Sequence, residues 1–161
     1  LSELPMAWEY LKFFHLFCAF IMMGGIFLSQ YAIVNARKTT EPGIFATYLK
    51  MSAVGGKMSM IGLVSVSLLG VLTAWQQDLD LTATGWLNAA YGTAILALII
   101  PFFTFARWEK QAAQLMPDAL TQGQVLPEQH RLVGGPQYRG INIVMTILIV
   151  WMLVLMVFKP F

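Results

Sequence analysis

Four long apolar runs, separated by shorter polar segments, dominate the chain. The first extends from about Trp8 to Val34, the second from about Met51 to Trp75, the third from Trp86 to Ala106 and the fourth from Gly140 to Phe158. Each supplies close to the roughly 20 apolar residues that an α-helix needs to cross a hydrocarbon core about 30 Å thick. The first run is long enough to tilt. In the second the apolar stretch is unbroken only from Ile61 to Trp75, and the fourth is interrupted mainly by Asn142 and Thr146. The pattern predicts an all-α fold, an antiparallel four-helix bundle integral to a membrane, built as one domain over residues 1–161.

Composition agrees with a bilayer as the solvent. Of the 161 residues 58% are hydrophobic and only 11% charged, and the mean hydropathy is +0.67. The net charge of +2 and the lack of a dense basic cluster argue against a nucleic-acid partner. Cys18 is the single cysteine, so no internal disulfide can form. Glu3 and Glu9 stand where a cleavable leader would be basic, so the first run is expected to be a permanent span.

Orientation follows from lysine and arginine, which are retained on the cytoplasmic side of short loops. Arg37, Lys38 and Lys50 flank the first connection, and Arg107, Lys110, Arg131 and Arg139 fall in or beside the third. The second connection offers only Asp78 and Asp80. The expectation is a multi-pass membrane protein with both termini on the outer side. Trp8, Tyr10, Trp75 and Trp86 then lie near the outer boundary, and Tyr31, Tyr48, Trp108 and Tyr138 near the inner one. The third connection, about 107–139, is expected to be cytoplasmic. Its first part, Arg107 to Met116, should continue the third helix. The remainder is broken by Pro117, Gly123, Pro127, Gly134, Gly135 and Pro136 and reads as a surface loop.

Several residues invite chemistry. In the second span Ser59, Gly62, Gly70 and Ala74, with Val66 between Gly62 and Gly70, follow a three- or four-residue rhythm that puts small side chains on one helix face, suited to close packing within the chain or to a partner subunit. His15 lies about two turns into the first span, where an ionisable group is costly. It shares a face with Cys18, Ala19, Met22 and Ser29. It is either a hydrogen-bonded core histidine or an axial ligand for haem or for the magnesium of a chlorophyll, with Met22 nearby. His130 belongs to the other side. Met22, Met23, Met51, Met58 and Met60 raise copper, because thioethers favour Cu(I), although methionine is also common apolar filler. Lys57 and Lys12 can snorkel to the headgroups. Pro101 removes one backbone hydrogen bond and should bend the third helix. No hydrolase, zinc-protease, Walker or dinucleotide motif occurs, no paired carboxylates lie in the membrane, and no acidic residue falls in the interior of a span, which weakens a catalytic or transport reading.

Certain blocks carry a resemblance. Leu11-Lys12-Phe13-Phe14-His15, Gly24-Gly25, Arg37-Lys38, the stretch from Gly70 to Thr73 and the closing Leu153-Val154-Leu155-Met156-Val157-Phe158-Lys159-Pro160 resemble bacterial four-helix proteins grouped as a predicted integral membrane family of unknown function, over essentially the whole chain. More distantly the chain is similar to CopD-like copper-resistance proteins and to the membrane protoporphyrinogen IX oxidases, which share a first-helix histidine. The likeness to the oxidases extends to Gly85-Trp86-Leu87. Their activity also needs a lysine shortly after that tripeptide, and Ala90, beside Tyr91, stands there instead. The resemblance therefore carries over only His15.

These readings point to an accessory or structural subunit of a larger respiratory or photosynthetic membrane assembly, without catalytic activity of its own and without a resident metal. Its partners would be the lipid bilayer and other membrane subunits or itself. The alternatives are a haem-b protein with redox or porphyrin-handling activity and, more weakly, copper handling.

Overall fold

The computed structural model describes residues 5–77 and 84–158. Glu3, Asp78, Asp80, Lys159 and Pro160 lie outside them, as does the side chain of Trp8. The described residues form seven helices and no strand: α1 (Pro5–Ala36), α2 (Pro42–Gln76), α3 (Gly85–Phe103), α4 (Phe105–Gln114), α5 (Met116–Gln122), α6 (Pro127–Gly134) and α7 (Pro136–Phe158). Four candidate spans are long and apolar enough to cross a membrane, and they contain α1, α2, α3 and α7 respectively. The bundle is therefore an all-α membrane fold.

The second helix begins nine residues before the apolar run suggests. Pro42 starts it with a preset φ and no wasted donor, and at 35 residues it measures about 52 Å, well beyond the hydrocarbon thickness. The extra turns are needed because Phe45 and Leu49 are buried at that end. The third helix stops at Phe103. Pro101 lacks the N–H that would bond Ala97, and the backbone departs from the helix at Thr104, whose hydroxyl donates to the Ile100 carbonyl. The chain restarts at once as α4.

Two cores result. Within the membrane Met22, Leu63, Val66, Ala94, Ala97 and Met152 pack together. At the other end Ile33, Ala36, Phe45, Leu49, Ala112, Val125, Val133 and Tyr138 form a second core, with Trp108 and Phe105 against it. The segment from 117 to 139 is thus not the irregular surface loop its prolines and glycines suggest. Those residues start and stop short helices: Pro117, Pro127 and Pro136 lie in first turns, and Gly123 ends α5 with φ 70°. Fully buried Gln129 ties this region together. Its amide donates to the Ala112 carbonyl at 2.9 Å, and its side-chain oxygen accepts from the Leu126 N–H at 3.0 Å. Val125 donates to the Thr40 carbonyl, and Arg37 Nε to the Val133 carbonyl. The Arg37 guanidinium sits 5.3 Å from the Tyr138 ring centroid. Burial lowers its pKa, with Tyr138 opposing and Arg139 reinforcing the effect, yet a guanidinium stays protonated in proteins. His130 meets the Phe45 ring edge-on.

Helices α1 and α2 pack along most of their length, and α3 packs on α7, while α2 and α3 touch only sparingly. The membrane part is therefore two helical hairpins. Gln30 on α1 and Asn142 on α7 bridge them by exchanging amide hydrogen bonds, the one from Asn142 Nδ2 measuring 3.0 Å.

Candidate functional site

The α1–α2 contact is made by glycines. A side-chain carbon at Gly25 would lie 2.5 Å from the Gly55 oxygen and the Ser59 nitrogen. One at Gly55 would lie 2.6 Å from the Gly25 oxygen and the Ser29 nitrogen, and one at Gly62 would lie 2.6 Å from the Met22 nitrogen. Lipid gives no hydrophobic drive between helices, so close backbone approach supplies the attraction. Of the small-residue face Ser59, Gly62, Gly70 and Ala74, Gly62 and Gly70 face α1, Ser59 borders Gly25, and Ala74 is buried. That face is taken up largely inside the chain.

His15 lies where α1, α2 and α3 converge. Its Nδ1 is buried without a hydrogen-bond partner, as is the Tyr91 hydroxyl. Both atoms border Gly70, where a side-chain carbon would be 3.7 Å from Nδ1 and 3.9 Å from the Tyr91 oxygen. Ala90 is a buried core residue. Met22 is also buried, seven residues from His15, a rise of about 10 Å along the helix. The two side chains are therefore too far apart along α1 to flank one iron. Neither cavity described below is lined by His15. This arrangement does not fit a haem, which needs open space in front of the ligating nitrogen.

A second polar group sits at the α4–α6 end. Ser52, almost wholly buried, donates to the Glu109 carboxylate, and its oxygen lies 2.9 Å from the Ser29 hydroxyl. Ser29, Ser52 and Glu109 thus link α1, α2 and α4 in one hydrogen-bonded chain. Sequence reasoning missed Glu109 because Phe105 to Gln114 reads as a solvated helix. The available signal was its register: Phe105, Glu109, Ala112 and Met116 recur at three- and four-residue spacing, which places the carboxylate on an apolar face.

Two cavities open between the hairpins. The larger, about 830 Å³, separates α2 from α3, α4 and the start of α5, and Lys50, Lys57, Glu109 and Lys110 reach it. The smaller, about 120 Å³, is deeper and is lined in part by Met22, Met60, Met145 and Met152. Among the described residues no group of three His, Cys, Asp or Glu side chains is placed to hold a metal ion.

Searches of curated proteins and of solved structures find no match. A family model does match, over residues 9–160, which is nearly the whole chain and includes all four apolar helices. The chain therefore belongs to the family described as predicted integral membrane protein (DUF2269).

Proposed function

We propose that this protein is an accessory, non-catalytic subunit of a larger bacterial membrane assembly, of a respiratory or photosynthetic kind, and that it docks through the outward face of α1. The observation carrying this reading is the register of that face. Tyr10, Phe13, Phe17, Phe20, Gly24, Phe27 and Tyr31 follow one another at alternating spacings of three and four. The six aromatic residues are exposed, Phe20 at 75%. That spacing is a seam for a second helix. Lipid contact requires apolar residues but no such phase. Gly24 is the notch in the seam, since a side-chain carbon there would meet nothing within 4 Å.

Native mass determination after gentle extraction tests the proposal. The expected result is a complex with a partner subunit or a second copy, lost in Gly24→Leu while the chain itself stays folded. A monomer in every mild detergent would refute it. The same sample addresses the two weaker readings. The four methionines of the smaller cavity favour Cu(I), whereas the close packing around His15 disfavours haem. A Soret band abolished by His15→Ala, or copper retained after dialysis, would replace the accessory reading.

The basic residues beside the first and third connections support a cytoplasmic location for the α4–α6 end and periplasmic termini. A cysteine introduced at Lys38 is then expected to react with an impermeant reagent in inverted vesicles and not in intact spheroplasts. The reverse pattern would flip the topology.

A further inference from the structure

The larger cavity has the chemistry of an amphiphile site, and it lies on a different face from the α1 seam. It runs between α2 and the α3–α4 junction. At one end it is walled by Met60, Pro101 and Phe102. Counting about 20 residues back from Trp75 brings the hydrocarbon boundary to about residue 55, so Met60 lies within the apolar layer, Lys57 near its edge and Lys50 beyond it. Lys110 faces the same space from α4. None of the three lysines forms an ion pair among the described residues. The one carboxylate lining the space, Glu109, is engaged by Ser52. Three lysines thus line the cleft near and beyond the hydrocarbon edge, while its wall deeper in the membrane is apolar, and basic pockets between membrane helices at this depth attract acidic headgroups. The volume, about 830 Å³, is within the range of ligand pockets, roughly 300 to 1,000 Å³. It suits a headgroup with the upper part of its acyl chains.

We propose that this cleft binds one anionic phospholipid, its phosphate among Lys50, Lys57 and Lys110 and its chains along Met60 and Phe102. Gly56 supplies an independent handle. It borders the cleft, and a side-chain carbon there would meet nothing within 4 Å, so a large side chain can fill the space without disturbing α1.

The test uses the full chain, delipidated in detergent and titrated with phosphatidylglycerol or with phosphatidylcholine of the same acyl chains, with bound lipid read by native mass spectrometry. The wild type is expected to hold one phosphatidylglycerol in preference to phosphatidylcholine. Removing charge should weaken it about fivefold per lysine, and roughly 100-fold in Lys50→Gln/Lys57→Gln/Lys110→Gln, with phosphatidylcholine binding unchanged. Gly56→Phe should displace the lipid while circular dichroism and melting stay as in wild type. Soluble glycerol phosphate should not compete. Equal retention of the two lipids by wild type, undiminished phosphatidylglycerol on the triple variant or on folded Gly56→Phe, or displacement by glycerol phosphate would each overturn the proposal. Gly56→Phe remains decisive should the triple variant not fold.

Discussion

Gly25→Leu is expected to unfold or severely loosen the bundle, whereas Gly24→Leu, one residue away, should leave the isolated chain as stable as wild type. At Gly25 the first side-chain carbon alone would fall 2.5 Å from backbone atoms of α2, and backbone cannot yield as a flexible side chain can. Overpacking of ordinary cores costs about 1 to 3 kcal/mol, and forcing two helix backbones apart along their tightest contact should reach or exceed the top of that range. At Gly24 nothing lies within 4 Å, and leucine has the better helix propensity, by just under about 1 kcal/mol. Thermal unfolding midpoints in one detergent provide the comparison. Gly55→Leu and Gly56→Leu form a second such pair on α2, with the damage expected at Gly55. Similar midpoints for Gly24→Leu and Gly25→Leu would mean that α1 and α2 do not meet in the described register.

Phe45→Ala is expected to have the next largest effect, and in a different place. Phe45 is fully buried in the core at the α4–α6 end, with His130 against its ring. Truncating a buried phenylalanine removes transfer free energy and leaves a cavity, together about 3 to 5 kcal/mol. The loss should fall on the segment from α4 to α6, because that core is what binds it to α1 and α2. Limited proteolysis reads this directly. Cleavage near the exposed turn at Gln122–Gln124 should accelerate strongly in the variant, while the helical content of the spans is retained. Unchanged cleavage would show that the short helices are held by something other than this core.

The contrast between these two substitutions also marks how far the sequence could be read. The four apolar runs are visible because crossing lipid requires length and greasiness, and both are local properties. The same reasoning placed Pro101 at a discontinuity and carried the third helix onward into α4. It failed where apolar content is sparse but well placed. Phe45, Leu49, Ala112, Val125 and Val133 are too scattered to announce a core, and only the folding of α2 against α4 and α6 brings them together. Gly24 and Gly25 look alike in the sequence, as do Gly55 and Gly56. Rotational phase about the helix axis decides which of each pair touches its neighbour, and phase depends on the partner helix. His15 was recognisable as an unusual residue, but its meeting with Tyr91 beside Gly70 joins three helices and has no local signature. Glu109 was hidden for a related reason, since a carboxylate in a polar helix draws notice only once its register is compared with the apolar residues around it.

The division of the membrane part into two hairpins also bears on biogenesis. The close contact between α1 and α2 uses only residues made before α3 begins at Gly85. A nascent chain that has released its first hairpin into the bilayer already possesses every glycine needed to lock it. The second hairpin joins later, against a finished surface, through the Gln30–Asn142 amides and the small helices beneath. Maturation of this protein can therefore proceed in two steps in the order of synthesis, and a defect in the second step would leave a stably inserted first half for quality-control proteases to find.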